Sequence, residues 1–225
     1  MLNTFHPAFR VGRLVVLALA APAGLTSPGN ADPVSENPTL KKPADFASIS
    51  NSAERSRIIF GEIGKVLTHP RCMNCHPAGD HPLQGDDHHE HMPPVWRAET
   101  GHFEANCSGC HTGKNVTLRE AATYQSIPGH PRWGFAPLSM VWEGKSLGEI
   151  CRQLKDVQLY GGRDLAGLQE HIAKDDLVAW AWNPGEGRKP APGSQEAAGK
   201  LVQDLDRQRS GVPPLVTLSL LQSSD

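Results

Sequence analysis

The chain carries two copies of a short pattern in which a Cys-X-X-Cys pair is followed directly by histidine, at residues 72–76 and 107–111. The pattern is typical of covalent c-type haem attachment, because the two thiols can add across the vinyl groups of one porphyrin and the histidine can reach its iron. The two copies use four of the five cysteines. The fold must therefore wrap two large, flat, apolar groups.

We accordingly predict two covalently bound haem c groups. The predicted thioether links and proximal iron ligands are Cys72, Cys75, Cys107, Cys110, His76 and His111. The sixth ligand of each iron decides the function, since axial methionine raises the potential, axial histidine gives a lower one, and an open position invites ligand binding or catalysis.

Histidines are concentrated around the two motifs, and nine of the eleven lie in the stretch 69–130. The run 86–91 lies between the motifs and can present an imidazole to either haem, so His89 or His91 is the first candidate for a distal ligand. His130 is the second candidate, because the neighbouring prolines stiffen its loop. Any one of these side chains can equally be a solvated loop histidine.

Two methionines compete for the same role. Met92 and Met140 offer thioether sulfurs, and Met140 ranks below the histidines because a methionine in an apolar stretch is commonly core filler. His171 falls in a predicted helix beside apolar residues and is assigned to the core or the surface rather than to an iron.

The N-terminus has the order of a secretory signal. Arg10 and Arg13 precede a short apolar stretch at 15–25, and small residues lead up to Ala31. That apolar stretch is too short for a membrane span, although a retained anchor is the alternative interpretation. We predict a signal peptide over 1–31, a periplasmic location, and no stable membrane span after cleavage.

The charge and composition restrict the partners and the core. The chain has 22 Lys+Arg against 24 Asp+Glu, and no long basic stripe, so a nucleic-acid partner is not expected. A redox partner protein with a basic docking face would complement the acidic mature chain. With only 6% aromatic residues and many Gly and Pro, the chain would struggle to build a core without its haems.

The hydrophobic pattern predicts a mainly α fold, a small dihaem cytochrome c with long haem-wrapping loops and a C-terminal set of about three helices. We predict a flexible linker over 32–47, a haem domain over 48–208 and an unplaced tail over 209–225. The predicted helices run from Ser48 to Leu67, from a capping box at Ser146 through a face ending at Val157, from a cap at Asp164, and over 194–207. No strand pattern is convincing.

Several stretches resemble a family of bacterial exported dihaem proteins that are labelled as the cytochrome subunit of isoquinoline 1-oxidoreductase. The resemblance extends over about residues 55–205 and is carried by the segments 69–77, 85–95, 144–151 and 180–185. It implies a cytochrome that accepts electrons from a molybdenum hydroxylase.

Three hypotheses of function follow. The first is an electron carrier, or the electron-transfer subunit of a dehydrogenase, in which both irons are six-coordinate, mostly through histidine pairs. The second is a haem enzyme, peroxidase-like or a small-molecule reductase, with one open iron and Asp86, Asp87 or Glu90 as the acid–base group. The third has no haem, and the four thiols bind zinc or form two redox disulfides.

Overall fold

The chain is mainly helical, as the sequence predicts. The computed structural model describes residues 38–97, 107–119 and 125–210, so the predicted signal peptide and most of the tail lie outside the described residues. Within these ranges the α-helices are α1 (Ser52–Leu67), α2 (Pro70–Met73), α3 (Leu147–Lys155), α4 (Leu165–Lys174), α5 (Asp176–Ala179) and α6 (Gln195–Ser210).

The core lies where α6 packs against α1 and α4. Ile59 and Ile63 of α1, Leu168 of α4 and Leu201 of α6 are almost fully buried there. Their spacing within each helix follows the three-to-four residue repeat of an amphipathic helix, which is why the sequence locates these helices.

Local capping sets the helix starts. Ser146 accepts a hydrogen bond from the Glu149 backbone N–H, and the Glu149 carboxylate accepts one from the Ser146 N–H, which completes the predicted capping box of α3. Asp164 caps α4 by accepting from the Gly167 N–H at 2.8 Å.

Two helix boundaries correct the sequence prediction. The predicted start of α1 at Ser48 is early, because Asn51 is the cap and accepts from the Glu54 N–H at 2.9 Å. The predicted apolar face of α3 extends too far, because the helix ends at Lys155 and Val157 beyond it is 38% exposed.

The segment 38–47 belongs to the packed domain, although the sequence analysis assigned it to a flexible linker. Leu40 and Phe46 are buried in the core, and the backbone N–H of Lys41 donates to Glu62 of α1 at 3.0 Å. A short 3-10 helix at Pro43–Phe46 turns the chain between these two buried side chains. The proline content of the segment suggested a linker, but burial of Leu40 and Phe46 is enough to hold the segment against the helices.

The loops around the two motifs contain two small hairpins that the sequence analysis missed. β1 (Leu83–Gln84) pairs antiparallel with β2 (His89–Glu90), and β3 (Val116–Thr117) pairs antiparallel with β4 (Ser126–Ile127). Strands of two residues are too short to produce an alternating pattern, so periodicity could not reveal them.

Among the described helices, none combines the length and the apolar character that a membrane crossing requires.

Candidate functional site

Each Cys-X-X-Cys-His motif lies in the wall of a cavity. The first cavity, of about 640 Å³, is lined by Cys72, Cys75 and His76. The second, of about 330 Å³, is lined by Cys107, Cys110 and His111. Both volumes fall in the range of small-molecule and cofactor pockets. The two cavities are neighbours with a common wall, which includes Arg71, Cys75, Cys107, Trp133, Phe135 and Trp180.

The first motif is held between α2 and the segment 136–143. The carbonyl of Cys75 accepts from the Ala136 N–H at 2.6 Å, and the carbonyl of His76 accepts from the Trp142 N–H at 3.0 Å. The indole of Trp142 stacks on the His76 imidazole with ring centres 3.6 Å apart and planes 2° from parallel. The ring of His76 is therefore fixed by both the backbone and an aromatic neighbour.

The hydrogen bond of His76 identifies the ring nitrogen that stays available. Its Nδ1 lies 2.7 Å from the carbonyl oxygen of Met140. A carbonyl oxygen can only accept, so Nδ1 carries the proton and Nε2 keeps its lone pair. Burial lowers the pKa of His76 to about 4, which keeps the ring neutral. A neutral imidazole with its second nitrogen bound to a carbonyl is the arrangement found in metal-ligating histidines.

The histidine of the second motif makes the same kind of hydrogen bond, but other segments of the chain hold it in place. A 3-10 turn at Cys107–Gly109 brings the His111 N–H within 2.7 Å of the Cys107 carbonyl. His111 Nδ1 donates to the carbonyl of Pro128 at 2.8 Å, again leaving Nε2 with its lone pair. Burial lowers the pKa of His111, and Trp133 stacks beside the ring with centres 4.9 Å apart.

Gly129 is what allows Pro128 to reach His111. A Cβ at Gly129 would overlap the backbone carbonyl of Lys114, so the two chain segments approach more closely than any side chain permits. The Gly129 N–H also donates to the Asn115 side chain at 3.0 Å, which fixes this turn beside the motif.

Of the predicted distal ligands, His91 lines a cavity. It lies in the wall of the second cavity, with its ring centre 5.9 Å from that of His111 and the planes inclined by 56°. Its Nδ1 donates to the carbonyl of Pro93 at 2.9 Å, so its Nε2 also keeps the lone pair.

His89 and His130 are placed differently, and neither lines either of these two cavities. The Nδ1–H of His89 donates to Asp87 while its Nε2 accepts from the Gln84 amide. His130 Nδ1 accepts from the Arg132 N–H at 3.0 Å, and its Nε2 lies 3.3 Å from Asp176. In both rings the nitrogen that would bind a metal already accepts a hydrogen bond, so the structure does not bring these two candidates to the motifs.

Three further side chains with ligand chemistry lie at the cavities. Met140 lines the first cavity, and Met92 lines the second although 56% of it is exposed. His171 of α4 also lines the first cavity. The sequence pattern assigned His171 to the core or the surface, because the apolar residues of its helix indicate which side is buried but not that a cavity lies beside it.

The thiols of the first motif are partly buried. Burial raises the pKa of Cys72 to about 12 and that of Cys75 to about 11, and burial also raises the pKa of Cys107. Redox-active and zinc-binding cysteines have depressed pKa values. The pKa values of these three thiols are shifted in the opposite direction.

Two buried donors at the cavities have unused hydrogen-bonding capacity. Arg71 is 4% exposed and donates through Nη2 to the Gly85 carbonyl at 2.8 Å and to Asp86 at 2.5 Å, but its Nε has no partner among the described residues. The buried Nε1 of Trp142 likewise has none in that part of the chain. Because such donors are costly to bury alone, they suit an anionic or carbonyl group within the cavities.

The acidic residues proposed for an enzyme are directed elsewhere. Asp86 pairs with Arg71, and Asp87 pairs with His89. Neither these carboxylates nor Glu90 line the two cavities. Across the described ranges, no group of three or more His, Cys, Asp or Glu side chains is arranged to hold a metal ion.

No family model, curated protein or solved structure matches the chain at a significant level. The resemblance noted in the sequence therefore stays a prediction.

Proposed function

We propose that the chain is an exported dihaem c-type cytochrome that transfers electrons between redox partners, as the electron-transfer subunit or the acceptor of an oxidoreductase such as a molybdenum hydroxylase. The observation that carries the proposal is that His76 and His111 have the same position relative to a thiol pair and the same hydrogen bond at Nδ1. Each follows a Cys-X-X-Cys pair, lines a cavity, and donates Nδ1–H to a backbone carbonyl. Haem, when bound, supplies a one-electron couple at each of these places.

The residues around the cavities suit such a group. Thiol pairs lie in each wall, and indoles and other apolar side chains supply most of the lining. The spare donors at Arg71 and Trp142 suit the carboxylates of a porphyrin edge, which would otherwise be costly to bury. Zinc and redox disulfides are less well supported, because both need thiolates and burial opposes thiolate formation in the first motif.

His91 is the best-supported distal ligand for the second motif. An imidazole nitrogen binds a metal at about 2.0–2.1 Å, so two imidazoles on one iron have ring centres on the order of 6 Å apart. The His91 and His111 rings are 5.9 Å apart, and each has its Nδ1 bound to a carbonyl. A second imidazole on the iron favours the carrier over an enzyme with an open site.

The proposal is tested by counting haems. The unsubstituted protein, produced with c-type maturation machinery, should carry two haems per chain by pyridine haemochrome absorbance and intact mass. Replacing both cysteines of either motif with alanine should reduce the count to one, because each pair holds its own group. Cys151→Ala is the matched control, since it removes a thiol outside the motifs and should leave two. A colourless protein of unmodified mass would overturn the proposal.

A further inference from the structure

We infer that His171 is the distal ligand of the iron held at residues 72–76, an inference that rests on the proposed dihaem function. The histidine lies on α4, on the turn between Leu168 and Ile172, whose side chains are buried in the core. These two residues fix the rotation of α4, and His171 then lies in the wall of the first cavity together with His76. Packing of α4 thus holds His171 in the wall of the cavity that the first motif also lines.

Like the other cavity histidines, His171 has an oxygen acceptor beside its Nδ1. This nitrogen lies 3.4 Å from the Oδ2 of Asp175, the residue that directly follows α4. A carboxylate is a standard partner for the remote nitrogen of a metal-bound imidazole, because it fixes the tautomer and increases the basicity of the ligating nitrogen. The Nε2 of His171 is then the nitrogen free to bind iron.

Asp175 is itself held in place, so its orienting role does not depend on a mobile side chain. Its Oδ1 accepts from the backbone N–H groups of Leu177 and Val178 as the cap of α5. The same oxygen accepts from the Arg132 guanidinium at 3.0 Å. Asp175 is a positioning residue that links the start of α5 to the ring of His171.

The other groups in the first cavity that could bind iron are less well placed. The backbone carbonyl of Met140 accepts a hydrogen bond from His76 Nδ1, so the Met140 backbone lies beside the proximal ring. Tyr160 is 3% exposed, and burial raises the pKa of its phenol, so the phenolate that binds iron is disfavoured. Arg132 and Arg163 carry no lone pair for a metal. Among the described side chains that line this cavity, Met140 is therefore the competitor to be separated by experiment.

The test is electron paramagnetic resonance of the ferric holoprotein. In His171→Ala, half of the iron should change from low-spin to high-spin while the count stays at two haems per chain, and added imidazole should restore the low-spin signal. His91→Ala should convert the other half, and the double variant should convert both. His81→Ala is the control, because His81 pairs with Asp80 at 2.9 Å and lines neither cavity. A His171→Ala protein with two haems and only low-spin iron would overturn the inference.

A second measurement decides the assignment even when His171→Ala does not accumulate. Near-infrared magnetic circular dichroism distinguishes imidazole–imidazole from imidazole–thioether ligation, and it is recorded on the variant in which both cysteines of the second motif are replaced by alanine, so that only the first haem is present. We expect an imidazole pair. A thioether ligand would instead assign the place to Met140, and rapid carbon monoxide binding to the reduced form of this variant would show that its iron is open. Both results would overturn the role of His171 and leave the dihaem proposal intact, whereas absence of covalent haem would overturn the proposal itself.

Discussion

At the residue scale, the hydrogen bonds at the two ring nitrogens separate histidines that could bind a metal from histidines that could not. His76, His91 and His111 donate Nδ1–H to backbone carbonyls and keep a lone pair at Nε2. His89 and His130 accept hydrogen bonds at one nitrogen and face a carboxylate with the other. A ring can present a lone pair to a metal only where one nitrogen carries no proton and accepts no hydrogen bond, as at Nε2 in the first three histidines.

The carbonyl of Pro128 should matter to the second iron through Gly129. In Gly129→Ala the new methyl group would overlap the Lys114 backbone, so the turn must move and Pro128 must withdraw from His111. We expect an altered low-spin signal and a higher potential for the second haem, because a less strongly hydrogen-bonded imidazole is a weaker donor. Redox titration followed by absorbance would measure the potential.

Gly113→Ala is the matched control for this substitution. A Cβ at Gly113 meets no atom within 4 Å, so its potential and spectrum should equal those of the unsubstituted protein. Equal potentials in both alanine variants would show that the Pro128 hydrogen bond does not tune the second haem.

The same scale shows how far residue patterns could predict the site. The motifs predict both thiol pairs and both proximal histidines, because c-type attachment needs a fixed local spacing, and the structure places each motif in the wall of a cavity. The run 86–91 led to His91, but the sequence could not separate it from His89, since their difference lies in partners brought by the fold. The sequence did not place His171 at a cavity, because only the fold shows that α4 borders the first one.

At the element scale, the helices were predictable where their signals are local. Ser146 and Asp164 cap the helices that follow them, and the buried repeat of Leu168 and Ile172 lies within one helix. The packing of 38–47 and the two hairpins were not predictable, because they depend on partners that are distant in the sequence or on strands of two residues.

Glu62 joins the segment 38–47 to α1, and its charge should make that junction sensitive to pH. Burial acts to raise its pKa, but hydrogen bonds from the Lys65 ammonium and the Lys41 N–H outweigh burial, so the pKa lies below its ordinary value. A carboxyl whose pKa is lower in the folded state stabilises the fold above its unfolded pKa, and that stabilisation is lost as the pH falls.

Glu62→Gln should therefore lower the free energy of unfolding at neutral pH, and the deficit should shrink as the pH falls below about 4.5. Urea unfolding at several pH values would measure it. Glu170→Gln is the control, because Glu170 is exposed and pairs with Lys174 only at 3.5 Å, an arrangement that contributes little. A deficit for Glu62→Gln that is constant from neutral to acid pH would contradict the role of its charge.

At the scale of the whole molecule, two neighbouring cavities with mostly apolar walls lie beside the helical core. Without occupants these apolar surfaces stay in contact with water, and the stabilisation that their burial would give is lost. The chain should therefore depend on the groups it binds for its packed state.

Replacing all four motif cysteines with alanine should expose this dependence. We expect a lower melting temperature, a broad transition and binding of a hydrophobic dye, because the cavity walls lose their occupants and become accessible. Calorimetry and dye fluorescence would measure these effects. Cys151→Ala should keep a sharp transition, and an equally sharp transition at an unchanged temperature for the fourfold variant would mean that the fold does not need its cofactors.

The wall common to both cavities has a consequence for how the molecule would meet its partners. Trp133 and Trp180 pack edge to face within it, with ring centres 4.7 Å apart, and both indoles border both cavities. If each cavity holds a haem as proposed, an electron that passes from one haem to the other has only this wall to cross. A donor that releases two electrons could then be fully oxidised in one encounter, with one electron stored on each haem. The protein would thus connect a two-electron oxidation to acceptors that take one electron at a time.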